Sequence, residues 1–225
     1  LLAHSLPKAD FGAIGSAVGV YYLLFGFHRA NLVLPFVLSG KDDSEVPQSA
    51  WAWLAVWTSA GVAIAMVATS MTLDLYSWGP PFLRKVLAYS AIMTPLMLLQ
   101  EFARRWLYQV GRNASAAGSS LASFVIMVGV AALIYKQRDL AGLAPWAFAA
   151  GALGAVVVAL FRRPPLPVVP LAPFGRLWNR RRSFSLWQSL THLPYTLYNQ
   201  GFVLLLAATG GAAAAASFTA SAMSL

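Results

Sequence analysis

The sequence contains no cysteine and little charge, and both absences narrow what the chain can be. Without cysteine among its 225 residues, the chain has no disulfides, thiolate metal sites or thiol catalysis. Only 10% of the residues are charged and 59% are hydrophobic, whereas a soluble domain carries roughly 25% charged residues. Acidic residues are especially few, seven against sixteen basic ones. This is the composition of an integral membrane protein.

Sequence patterns typical of catalysis, metal binding and nucleic-acid binding are also missing. His4, His28 and His192 are too far apart for metal-ligand spacing. The sequence has no DxD motif, no Gly-rich phosphate loop and no G-x-S-x-G. The aromatic residues lie in apolar runs and not among the basic residues, so the net charge of +9 does not indicate a nucleic-acid partner. We expect no enzyme activity, no catalytic residues, no metal and no cofactor beyond a coupling proton or sodium ion.

Long apolar runs dominate the chain. Crossing a bilayer takes about 20 apolar residues, and six runs reach that length, at 11–38, 51–73, 82–110, 114–135, 143–161 and 184–208. Short loops between them predict an up-and-down helix bundle. Both ends of the chain, 1–6 and 211–225, are themselves apolar, so we expect a piece of a longer protein.

The basic residues are distributed unevenly between the two sides of the predicted bundle. Eleven of the sixteen lysines and arginines lie on the side where the first, third and fifth runs end, either in the last turns of a run or after it, which predicts that this side faces the cytoplasm. Tryptophans near the span ends are expected to be anchors at the membrane interface. These are Trp51, Trp53, Trp57, Trp78 and Trp106.

A proline-rich, basic stretch follows the fifth run. It reads RRPPLPVVPLAPFGRLWNRRRSF, and its prolines favour an extended chain over a helix. We therefore predict a cytoplasmic linker at 164–183 between an amino-terminal lobe, 1–163, and the first helices of a second lobe, 184–225. An ordinary long loop is the alternative.

A stripe of polar side chains ends the third run. Glu101, Arg104, Arg105, Tyr108 and Arg112 recur at helical spacing. Ionisable groups on a membrane helix usually face a bundle interior or a watery cavity. A Glu101–Arg105 pair would leave Arg104 and Arg112 to bind an anion, with Glu101 as a candidate for ion coupling. Alternatively, the arginines simply reach toward lipid headgroups.

Two other helices carry polar groups within apolar runs. Arg29 lies about three turns before the end of the first run, with Pro35 beyond it, so it is a candidate for lining a cationic cavity. His28 is expected to be a core residue whose hydrogen bonds are satisfied. A second polar face is suited to sugar hydroxyls or to hydrogen bonds between helices. It consists of Gln188, His192, Tyr195 and Asn199.

Three segments resemble a known family. LLAHSLPKADFGAIGSAVGVYYLLFGFHRANLVLPFVL resembles the stretch joining the first two helices of polysaccharide-export proteins of the multidrug/oligosaccharidyl-lipid/polysaccharide flippase superfamily, where a turn precedes a helix ending near an Arg and a Pro. LLQEFARRWLYQVGRNASAA is similar to the end of the family's fourth helix. The stretch from FGRLWNRRRSF onward resembles the start of its second lobe.

The resemblance implies an all-α, MATE-like fold of two inverted lobes in the bacterial cytoplasmic (inner) membrane, monomeric when full length. It also implies translocation of an isoprenoid-diphosphate-linked oligosaccharide for surface polysaccharide by alternating access. Arg29 and Arg104 would contact the diphosphate, and Arg105 and Arg112 would form the cytoplasmic mouth. The alternatives are a drug/cation antiporter of the same fold, a membrane enzyme of envelope polysaccharide synthesis, and a purely structural membrane subunit.

Overall fold

The chain folds into long helices. A computed structural model describes residues 6–39, 48–77, 80–137, 142–161 and 184–194, with isolated positions between 175 and 217. The helices are α1 (Lys8–His28), α2 (Leu34–Ser39), α3 (Gln48–Leu75), α4 (Pro81–Gln109), α5 (Asn113–Lys136) and α6 (Ala144–Phe161). A π-helical turn, Arg29–Val33, joins α1 to α2. Residues 184–194 are helical, and no strand occurs in the described ranges.

Five of these helical stretches are long and apolar enough to cross a membrane: Lys8–Leu38, Gln48–Leu75, Pro81–Gln109, Asn113–Lys136 and Ala144–Phe161. They confirm the predicted all-α membrane bundle and match the first five predicted spans. The sixth, 184–208, is helical over 184–194, and most of its remainder lies outside the described residues. So do most of the predicted linker 164–183 and both chain ends.

Ion pairs and one hydrogen bond fix how the helices run. Asp10 of α1 pairs with Lys85 near the start of α4, and Asp74 near the end of α3 pairs with Arg84. At the other end, the Gln109 amide donates to the Val37 carbonyl at 3.0 Å. Therefore α1 and α4 run parallel, and α3 runs antiparallel to both. We call the two ends of the bundle the Asp10 end and the Gln109 end.

The same contacts set the register of α1 against α4. Partners are 75 residues apart at the Asp10 end and 72 apart at the Gln109 end. Arg29 consequently lies at the height of residues 101–104. Two of the groups predicted to bind the anion, Arg29 on the π-helical turn after α1 and Arg104 on α4, therefore lie at a similar height in neighbouring spans.

An aromatic cluster packs the Gln109 end around α4. The Phe36 ring lies 5.1 Å from that of Phe102 and 6.0 Å from that of Trp51, centroid to centroid. The Trp106 indole donates to the Gln48 side-chain oxygen at 3.0 Å. Trp51 is 2% exposed and Trp106 5% exposed, so the predicted interfacial role is wrong for these two. They belong to the core, and they position the end of α4.

Small residues let α5 and α6 approach closely. Ala147, Gly151, Ala155 and Ala159 recur at every fourth position of α6 and are buried. A Cβ atom built at Gly151 would lie only 2.8 Å from the carbonyl oxygen of Ser123 on α5. Such stripes allow backbones to touch in a bilayer, where lipid gives no hydrophobic drive for association.

Candidate functional site

The π-helical turn breaks the regular hydrogen bonding of the first span at Arg29. The Leu34 amide donates to the Arg29 carbonyl, five residues back. Pro35 follows directly. It has no amide hydrogen to donate, and in a regular helix its ring would clash with the backbone of the preceding turn. A wider turn before Pro35 avoids this clash. Wide turns of this type occur frequently at functional sites. The sequence indicated a distortion at Pro35 but not this form.

Arg29 lies deep within its span. Ten residues separate it from Ser39, the last residue of α2, which corresponds to about 15 Å of helix. Its side chain is exposed, and no described carboxylate lies within ion-pair distance of it. This is the combination expected of a cation that awaits a ligand or faces a polar space.

The helical segment 184–194 packs against this part of α1. The Asn31 side-chain amide donates to the Ser189 hydroxyl at 2.9 Å and to the Phe27 carbonyl at 2.8 Å. The His192 ring lies on Gly26 so closely that a Cβ atom there would be 1.7 Å from its Cδ2 atom. His192 is also an electrostatic neighbour of Arg29. Two predicted site residues, Arg29 and His192, are thus brought together.

The rest of the second polar face is only partly described. Gln188 is half-buried on the segment 184–194. Tyr195 and Asn199 lie outside the described residues. Asn31 and Ser189 were missed in the sequence, although Asn31 lies two residues after Arg29 and Ser189 directly follows Gln188. Only their contact across helices distinguishes them from ordinary polar residues.

Glu101 on α4 holds two arginines. The Arg105 Nε donates to Oε1 of Glu101 at 2.8 Å, and the Arg104 Nη2 contacts Oε2. The prediction that Arg104 is left free by a Glu101–Arg105 pair is therefore wrong, because one carboxylate can engage neighbours at both i+3 and i+4. We call Glu101, Arg104 and Arg105 the charged triad. Each carboxylate oxygen therefore has one arginine partner, and a coupling ion would have to share the carboxylate with both arginines.

Arg112 does not belong to the stripe. Helix α4 ends at Gln109, and Gly111 turns the chain with a φ of 76°. The Gly111 and Arg112 amides donate back to Tyr108 and Leu107, the pattern of a helix closed by a left-handed glycine. Arg112 is exposed beside the start of α5. Its predicted place on the face of α4 is wrong, since the extrapolation ran through a helix terminus.

Tyr21 of α1 lies within electrostatic range of the triad. This buried tyrosine is an electrostatic neighbour of both Glu101 and Arg104. It lies on the helix that carries Arg29 two turns further on. Because Arg29 shares the height of residues 101–104, the charged groups of α1 and α4 form one level of the bundle, about 12 Å of helix inside the end of α4.

His28, next to Arg29, is buried as predicted for a core residue, but neither of its ring nitrogens has a hydrogen-bond partner in the part of the chain described. No group of three His, Cys, Asp or Glu side chains suited to a metal occurs in the same residues. The part of the bundle around Arg29 and the charged triad thus contains guanidinium, amide, hydroxyl and imidazole groups. Such a set is chemically suited to an anion flanked by hydroxyl-bearing groups.

Comparisons of this chain with protein-family models, with curated proteins and with solved structures give no match. Its function is therefore argued from the charged level of the bundle and its surroundings. The apolar helices identify the medium as a membrane.

Proposed function

We propose that the chain is part of a membrane transporter that moves an anionic, glycan-bearing lipid across the bilayer. The expected cargo is an isoprenoid-diphosphate-linked oligosaccharide, translocated by alternating access for surface polysaccharide synthesis. Diphosphate is the costly group to move, because its hydration must be replaced inside a medium that offers no water. A transporter solves this by providing fixed positive charges within its span.

One observation carries the proposal, the position and surroundings of Arg29. It lies about 15 Å inside its span, on a π-helical turn, with no described acid as its partner. A guanidinium group matches phosphate oxygens in two-point contacts. The nearby Asn31, Ser189 and His192 supply neutral hydrogen-bonding groups of the kind that bind sugar hydroxyls. The three resemblances found in the sequence point to the same cargo.

The drug/cation antiporter is less well supported by the charges. Such a protein requires an acid that is free to bind a cation, and each described carboxylate already contacts a base: Asp10 with Lys85, Asp74 with Arg84, and Glu101 with two arginines. No specific feature favours the membrane-enzyme alternative. A flippase therefore remains the function that the site supports best.

The experiment measures translocation by the full-length protein in liposomes. A fluorescent isoprenoid-diphosphate oligosaccharide is placed in the membrane, and a membrane-impermeant quencher reports how much reaches the outer leaflet. A hydrogen bond to a charged group contributes about 1.5–3 kcal/mol, so Arg29→Ala should slow translocation about 10- to 100-fold. Arg29→Lys keeps the charge but loses the planar guanidinium group, so its translocation rate should lie between those of Arg29→Ala and the wild type.

Lys136→Ala is the matched control, because Lys136 is an exposed cation at the end of α5, away from the charged level. It should translocate as the wild type does. Equal rates for Arg29→Ala and wild type at equal protein amounts would contradict the role of Arg29. A wild type that leaves the lipid in place would contradict the flippase function, and a chemically altered lipid would favour the enzyme.

A further inference from the structure

The charged triad is arranged with its acid inside and its bases outside. The Glu101 side chain is 6% exposed, whereas those of Arg104 and Arg105 are 36% and 38% exposed. The carboxylate therefore lies under the two guanidinium groups, which both present a free side. Two positive charges and one negative charge leave the triad with one positive charge, directed away from the packed core.

Arg104 has hydrogen-bonding capacity that the fold does not use. Its Nη2 atom contacts Glu101, but its Nε atom is buried without a hydrogen-bond partner among the described residues. A buried donor without an acceptor is unfavourable. Arg105 differs, because its Nε atom is the one that donates to Glu101. The two arginines are thus bound unequally, and Arg104 has more to gain from a new acceptor.

We propose that Glu101 is an exchangeable counter-ion that occupies Arg104 until a phosphate group of the cargo takes its place. Carboxylate and phosphate oxygens suit the same guanidinium fork. Arg105 keeps its contact with Glu101 throughout, so the acid stays in position. The inference rests on the proposed function for the class of ligand, a phosphate or diphosphate group.

The exchange explains why an acid lies within a site for anions. Unpaired arginines in an apolar bundle are costly, and an internal carboxylate offsets one of the two positive charges while the site is empty. Once cargo is bound, the same negative charge repels it and favours its release. Glu101 would then determine how tightly the anion is held and how quickly it leaves, without itself contacting the anion.

The test is anion binding by the full-length protein in detergent, measured by calorimetry. The probes are inorganic pyrophosphate and farnesyl diphosphate. Glu101→Gln keeps the shape of the side chain and removes its charge, so it should bind farnesyl diphosphate about tenfold more tightly than the wild type does. The same variant should translocate lipid more slowly in liposomes. An equal gain for pyrophosphate means that the diphosphate group alone is recognised, and a gain for farnesyl diphosphate alone means that the diphosphate must be attached to an isoprenoid chain.

Two variants provide the controls. Glu101→Asp retains the charge and should keep the affinity within about threefold of the wild type, since the repulsion persists. Asp74→Asn makes the same kind of chemical change in an ion pair at the Asp10 end. It should leave the affinity unchanged. A purely structural role for Glu101 would instead weaken binding in Glu101→Gln together with thermal stability.

Unchanged or weaker binding by a folded Glu101→Gln variant would overturn the inference. Lipid translocation by the wild type would then still stand, so the proposed function would survive. A wild type that neither binds nor translocates a diphosphate lipid would overturn both. If Glu101→Gln does not fold, the same binding measurement is made on Arg104→Gln. The inference requires that this variant bind farnesyl diphosphate about tenfold more weakly than the wild type does. Unchanged affinity would overturn the inference.

Discussion

The contact between Gly26 and His192 makes the sharpest prediction about how the site is assembled. Replacing Gly26 with Ala adds one methyl group, 1.7 Å from the Cδ2 atom and 2.1 Å from the Nε2 atom of His192. These distances are about half of a normal carbon contact, so the added methyl group would overlap the Cδ2–Nε2 edge of the imidazole ring. The ring must therefore leave its place, either by rotating about its side-chain bonds or together with a shift of the segment 184–194 on the first span.

The magnitude follows from two opposing effects. An added methyl group in a packed interface costs about 1–3 kcal/mol, whereas replacing a mid-helix glycine by alanine gains about 0.5–1 kcal/mol. Gly118 on α5 isolates the second effect, because a Cβ atom there would meet nothing within 4 Å. Relative to Gly118→Ala, Gly26→Ala should lower the free energy of unfolding by about 1–3 kcal/mol.

The assay is reversible unfolding of the full-length protein in mixed detergent micelles, completed as a double-mutant cycle. His192→Ala removes the clashing ring, so Gly26→Ala should cost little in that background. The coupling energy between the two positions should reach about 1 kcal/mol or more. Equal stability of Gly26→Ala and Gly118→Ala, or additive effects in the cycle, would refute the packing of 184–194 on α1.

Two further glycines give predictions about the frame of the bundle. Gly111→Ala should lower the unfolding free energy by about 1–2 kcal/mol, because its φ of 76° is unfavourable for alanine although the space around it is open; a stability equal to that of the wild type would contradict this closure of α4. Gly151→Ala places a Cβ atom 2.8 Å from the fixed Ser123 carbonyl, whereas Gly154→Ala meets only the mobile tip of Ile126. In the same unfolding assay Gly151→Ala should therefore be the less stable of the two, and the reverse order would contradict the close approach of α5 and α6.

The positions of the helices could be predicted from the sequence because hydrophobic length is a local property. The predicted span 82–110 differs from α4 by one residue at each end. Closure of that helix at Gly111 was the exception, since the stripe appeared to continue through Arg112. Glycine at this position allows a left-handed turn but does not require one, so spacing alone could not locate the end of α4.

The contents of the site were harder to predict because they depend on neighbours distant in sequence. Helix packing, and not periodicity, brings Asn31 to Ser189. It also places Trp51 and Trp106 in one aromatic core. The pairing of Glu101 with two arginines could have been predicted from the sequence, because arginines occupy both the i+3 and the i+4 positions. The choice of only one of them was the error.

The depth of Arg29 separates two explanations of the basic residues. The positive-inside bias accounts for arginines at helix ends, where long side chains reach headgroups. It does not account for a guanidinium about 15 Å inside a span, on a helix whose local geometry departs from the regular form and beside a second polar segment. The described acids are already committed to bases on α4. No described acid is therefore left to balance Arg29, and a phosphate-bearing ligand is the partner that we propose for it.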